Sequence, residues 1–178
     1  MTRPEETVAR GYDRIADRYL TWSSDHSVRL RWLVEFAAAL PTPAGVLDLG
    51  CGAGVPVARW LVDAGYEVTG IDLSSEQIAR ATANVPEATF RVGSMTGASF
   101  DHGMFDGIVS TYAITHVPRE QHAGLLRRVH EWLRPDGVFM ASLGAGDSPD
   151  WTGEWLGAEM VFSHFDAETN LGLLTGAG

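Results

Sequence analysis

The stretch Asp48-x-Gly50-x-Gly52-x-Gly54 sets one carboxyl at the end of an apolar run and three glycines in the turn behind it. A second apolar run ends on another carboxyl, Asp72. The chemistry this suits is the holding of a ligand. Carboxylates accept hydrogen bonds, and glycines leave the backbone bare, so that its N–H groups can touch what is bound. His116 follows the run "FDGIVSTY" and is a side chain able to move a proton near neutral pH. Tyr12 and Tyr19, in "YDRIADRY", offer hydroxyls and aromatic faces. Trp151, Trp155, Phe162, His164 and Phe165 gather rings towards the end of the chain.

The elements that must position these groups follow from periodicity. Residues 5–20 carry apolar or aromatic side chains at helical spacing, with Gly11 leaving either two short helices or one weak one. Residues 27–40 form an amphipathic helix that Pro41 and Pro43 stop. Strand and helix then alternate: strand 46–49, helix 55–64, strand 67–71, and helix 75–84, which the capping pattern Ser74-x-x-Gln77 opens. Strand 88–92, strand 105–112, helix 118–133, a turn at 135–137 and strand 138–143 continue it. Residues 144–165 read as irregular, and 166–176 as a last helix. Such alternation predicts an α/β fold: one doubly wound, Rossmann-like parallel sheet with helices on both faces. The expected organisation is a single domain over 1–178, with a helical cover over 1–40 and an aromatic lid over 144–165.

Composition narrows the chemistry. The chain has 178 residues, 45% of them hydrophobic and 20% charged, an ordinary soluble composition. No apolar run approaches the roughly 20 residues that span a bilayer, and the first residues lack a signal-peptide core, so no membrane association and a cytoplasmic residence are expected. Cys51 is the single cysteine, which excludes an intrachain disulfide and a cysteine-based metal cluster. All 13 basic residues are Arg, so Schiff-base and P-loop lysines are excluded. A net charge of −10 argues against nucleic acid as partner. His102, His122 and His130 have no metal-ligand spacing and read as solvated surface residues; no metal is expected.

Strand, glycine loop, helix, strand is the generic dinucleotide-binding unit, but the nicotinamide register G-x-G-x-x-G/A puts Val55 at its third small position. The loop resembles instead the first motif of the class I S-adenosylmethionine-dependent methyltransferases. The resemblance covers roughly residues 8 to 176: "FDGIVSTYAITHV" is similar to the family's fourth-strand motif, and "LLRRVHEWLRPDGVFMASLG" to its helix, turn and fifth strand. "RVGSM" aligns with the segment that frames adenine, where the family often has an acid and this chain has Ser94. S-adenosylmethionine carries an ammonium, a carboxylate and a sulfonium in place of a diphosphate. The resemblance implies Asp48 near the ammonium, the loop Gly50, Cys51 and Gly52 against the ligand, and Asp72 on both ribose hydroxyls. Ser94 and Met95 then lie at adenine, Leu73 joins the cofactor-binding set, and Thr111 walls the pocket. Tyr19 belongs to the same set, its face suited to a sulfonium through cation–π contact.

The implied reaction is methyl transfer to a small-molecule acceptor by in-line displacement. His116 is the candidate base for a hydroxyl or amine acceptor; capping the loop or packing beneath the cofactor are its other readings. Tyr12, Tyr112, Trp151, Trp155 and His164 are the candidate acceptor contacts, although the aromatic stretch would also suit a loop tucking its own rings inward. The family normally adds two more strands after the last helix, so strand 138–143 is expected as an uncovered edge. A truncated form, or a homodimer through that edge, would account for it. The rival functions are an S-adenosylmethionine-binding protein without turnover and an enzyme that uses the same cofactor without methylating.

Overall fold

The computed structural model describes residues 3–23 and 27–178; residues 1–2 and 24–26, part of the expected cover, lie outside the described residues. Its order is α1 (Arg3–Trp22), α2 (Ser27–Ala38), β1 (Gly45–Leu49), α3 (Val57–Asp63), β2 (Glu67–Asp72), α4 (Ser75–Asn84), β3 (Thr89–Val92), β4 (Phe105–Ser110), α5 (His122–Trp132), β5 (Leu133–Ala141), β6 (Ser148–Trp155), β7 (Ala158–His164) and α6 (Ala167–Thr175). Five strands form one sheet in the order β3-β2-β1-β4-β5, every pairing parallel. The order reverses at β1, so the carboxyl ends of β1 and β4 bound the crevice where open α/β sheets take ligands.

The period-2 geometry of β1 sorts its side chains. Val46 joins Leu33 and Phe36 of α2 and Leu61 of α3 in one core cluster. Leu47 and Leu49 join Leu125, Val129 and Trp132 of α5 in the other. Both faces of the sheet are therefore covered by helix, as the alternating pattern predicts. The cap of α4 also forms as read: Ser74 accepts from the Gln77 N–H at 3.0 Å.

α1 takes the single-helix form of the two that Gly11 left open, and two other elements differ from the sequence reading. Gly11, in the middle of α1, serves packing: a Cβ there would lie 2.7 Å from Met160 Sδ and 2.8 Å from the Glu159 carbonyl oxygen. Residues 144–165 are mostly regular. β6 and β7 pair antiparallel, with Trp151 opposite Phe162 and Trp155 opposite Ala158. Leu156 and Gly157 both have positive φ, at 51° and 84°, in the tight turn between them. That conformation disfavours leucine, which hid the hairpin from a search for turn residues. β5 begins at Leu133, where the turn was expected to follow; Leu133 pairs with Phe105, the register shifts, and pairing resumes from Val138.

Among the described residues the hairpin forms a sheet of its own, and β5 has no neighbour on its outer side. α1 packs across the hairpin: Ile15 joins Ala158 and Met160 in a third apolar cluster.

Candidate functional site

The crevice floor is built locally. The Gly50 and Cys51 N–H groups donate to the Ile71 carbonyl at 2.8 and 3.1 Å, tying the loop to the end of β2. Gly50 has φ +77°, and a Cβ there would collide with the Ala113 side chain, so the close approach demands glycine. Asp72 takes the Gly52 N–H at 2.9 Å on one oxygen and the Ser74 N–H at 2.9 Å on the other. Burial pushes its carboxyl up, and these backbone donors pull it back.

Asp48 is of another kind. It is 1% exposed, and neither carboxyl oxygen has a hydrogen-bond partner. Burial first, and the Asp72 charge second, push its pKa up to about 8, against the lowering field of Arg29. A buried acid without donors is costly unless something in the site meets it.

The cover is built at long range. Tyr12 of α1 meets His116 Nε2 at 2.8 Å, and His116 Nδ1 lies 2.7 Å from the Val161 carbonyl of β7. A carbonyl can only accept, so Nδ1 carries the proton and the Tyr12 O–H donates to Nε2. Burial lowers the imidazole pKa to about 4, leaving it neutral. Asp13 of α1 accepts from the Ser74 hydroxyl at 2.6 Å and the Glu76 N–H at 3.1 Å, docking α1 on the start of α4.

These parts enclose a cleft lined by Gly50, Gly52, Asp72, Leu73, Met95 and Thr111 from below, and by Tyr12, Tyr19, Tyr112 and His116 from above and beside. Asp48 and Cys51 line a smaller adjoining space together with Arg29, Tyr19 and Thr111. Ser94 does not reach the cleft lining. Its hydroxyl donates to Glu5 of α1, which also takes the Thr96 hydroxyl at 2.6 Å. The hairpin aromatics stand behind the cover. Trp155 packs against Tyr12 and Tyr19, Trp151 against Phe162, and His164 bonds the Gly146 carbonyl through Nδ1. His122 is buried where the sequence reads surface, and it donates from Nε2 to the Val117 carbonyl at 2.9 Å. Among the described residues no group of three or more His, Cys, Asp or Glu is placed to hold a metal ion.

Sequence reading passed over Arg29 and Glu5, yet a signal existed. Arg29 shares the helix face of Leu33 and Phe36, and Glu5 that of Val8, Tyr12 and Ile15, so each is a charge on an apolar stripe.

A family model described as a methyltransferase domain matches residues 46–137, from β1 into the turn before the second half of β5. The chain belongs to the methyltransferase-domain family. A biotin biosynthesis bifunctional protein, BioCD, of Bordetella avium is 33% identical over 156 residues, covering 83% of this chain and 32% of that protein. The 2-methyl-6-phytyl-1,4-hydroquinone methyltransferase of Synechocystis sp. is 28% identical, covering 76% of this chain and 53% of its own length. The chain thus spans about half the length, or less, of these two curated relatives. Among solved structures, an S-adenosylmethionine-dependent methyltransferase from Mesorhizobium loti aligns with a TM-score of 0.65 at 25% identity, over 81% of this chain and 78% of that one. The cofactor named for that protein is S-adenosylmethionine. The site fits it, because the buried and unpartnered Asp48 matches a ligand that brings its own ammonium donor.

Proposed function

We propose that this methyltransferase domain moves the methyl group of S-adenosylmethionine to a small-molecule acceptor by in-line displacement. The observation that carries the reading is Asp48, whose two oxygens lie buried and unpartnered beside a glycine loop whose first N–H groups are already committed to β2. When bound, the cofactor supplies a methyl group already activated on a sulfonium. In this reading Asp48 receives the ammonium and Arg29, in the same small space, the carboxylate. Asp72 holds the ribose, Leu73 and Met95 flank adenine, and the faces of Tyr12 and Tyr19 shield the sulfonium from water.

Alignment then outweighs proton transfer. Holding two reacting groups in line removes roughly 7–11 kcal/mol of barrier. A general base's 10²–10⁴-fold amounts to roughly 3–5.5 kcal/mol. The His116 Nε2 lone pair is taken by the Tyr12 hydroxyl. An acceptor proton therefore passes to the Tyr12 oxygen as Tyr12 hands its own to His116. Tyr12 meets the acceptor, and His116 acts through it.

Residues 1–178 serve in this reading as one cofactor-binding domain, with the helical cover over 1–40 and the 144–165 segment as buttress of that cover. The net charge of −10 goes with a small acceptor and against nucleic acid. Among the described residues no helix is long and apolar enough to cross a membrane. Cys51, buried and free, is at home in a reducing cytoplasm. The outer edge of β5, flanked by the half-exposed Val28 and Trp32, suits pairing with a second copy; a strictly monomeric species in solution scattering would remove that part. The central test is an acceptor screen coupled to detection of S-adenosylhomocysteine. Product with any acceptor supports the reading. Cofactor binding by calorimetry with no product from a broad panel turns it into a binding protein without turnover.

A further inference from the structure

Gln77, in the first turn of α4, is 1% exposed, and neither its amide nitrogen nor its amide oxygen has a hydrogen-bond partner. It lines the cleft with Asp72 and Leu73, not the smaller space that holds Asp48 and Arg29. Its amide hangs beside the loop: a Cβ on Gly52 would lie 3.9 Å from Oε1. Asp72, beside the same loop, accepts the Gly52 N–H on one oxygen and the Ser74 N–H on the other, with the Leu73 N–H as a third backbone donor. That still leaves its carboxylate room to accept from a hydroxyl.

An unpaired buried amide destabilises a fold, and α4 would bury a methionine or leucine here without that penalty. A carboxylate can only accept, whereas a vicinal diol both donates and accepts. We infer that Gln77 reads the cofactor's ribose diol together with Asp72: Nε2 donates to one hydroxyl oxygen, while the acid and Oε1 accept from the hydroxyl protons. This rests on the cofactor reading above and adds a specificity residue to it. The pairing favours a ligand with both hydroxyls free over one with either removed or esterified.

The test is calorimetry of the whole chain with two probes, S-adenosylhomocysteine and 5′-methylthioadenosine, alongside thermal melts without ligand. 5′-Methylthioadenosine keeps the ribose and lacks the amino-acid end. Gln77→Met should weaken both probes by a similar factor, about tenfold or more, while the ligand-free melting temperature stays level or rises. Gln77→Asn, one methylene shorter, should lose affinity in the same way and so control for the added sulfur. A loss confined to S-adenosylhomocysteine would move Gln77 to the amino-acid end and overturn the inference. So would unchanged affinities, or a lower melting temperature with unchanged affinities, which would make the amide structural. Wild-type protein that binds neither probe would bring down the cofactor reading itself, an outcome distinct from any of these.

Discussion

The floor and the cover of the cleft are held by different kinds of interaction. In the floor, Gly52 and Ser74 donate to Asp72 over 20 and 2 residues of sequence, and Ser74 caps Gln77 over 3. In the cover, Tyr12 reaches His116 over 104 residues, Ser94 reaches Glu5 over 89, and Arg18 reaches the Leu156 carbonyl over 138. The bonds that shape the floor are therefore specified largely by spacing within residues 50–77. The cover exists only once α1, the end of β4 and the hairpin have met. Such a cover can open with the floor intact, because opening breaks a few specific bonds and none of the sheet pairings.

The sharpest break between the two regions is Asp48→Asn in the floor. Cofactor affinity should fall by about 100-fold or more in calorimetry, since a charged hydrogen bond and its ion pair both go. The ligand-free protein should gain stability at high pH. The folded-state pKa of about 8 lies above the unfolded value, so the folded protein holds an extra proton between them. Wild-type stability therefore falls as pH rises from about 4 to about 8. Melts across that window should be flatter for the Asp48→Asn variant than for the wild type; identical slopes would discard the assignment.

Gly11→Ala strikes the cover alone, because its new methyl would press on Met160 and the Glu159 carbonyl. A cost of about 1–3 kcal/mol is expected. Hydrogen exchange should show β7 losing protection while β1 and β4 keep theirs; uniform loss would mean that the two regions unfold together.

Tyr12→Phe keeps the ring packing and removes the hydroxyl, leaving Nε2 of His116 buried without its donor. Turnover should drop about 10²-fold or more with little change in cofactor affinity. With His116 near 4, the wild-type rate should show no titration around pH 6.5. The same depressed value predicts stability lost as pH falls from 6.5 to about 4, since the unfolded chain takes the proton first. The smallest effect belongs to Asp17→Ala. Its ion pair with Arg80 is fully exposed on the Asp side, so the melting temperature should not move measurably.

Much of the floor was legible. The glycine spacing, Asp48, Asp72 and the Ser74 cap each sit where short-range pattern puts them. The hairpin was not, because leucine in a positive-φ turn mimics no turn signature. Trp151, Trp155 and His164 looked like an acceptor pocket in sequence. In the fold Trp155 packs against Tyr12 and Tyr19, Trp151 packs against Phe162, and His164 bonds the Gly146 carbonyl, so the cleft is lined by the residues in front of them.

By itself the sequence determined the parallel sheet, the loop and its two acids, because turn geometry and helix capping act over a few residues. Which hydroxyl meets His116, which charge reaches Asp48 and which amide is left without a partner were decided only in the tertiary structure. Those pairings join segments tens of residues apart, and burial sets their strength by removing the water that would otherwise compete.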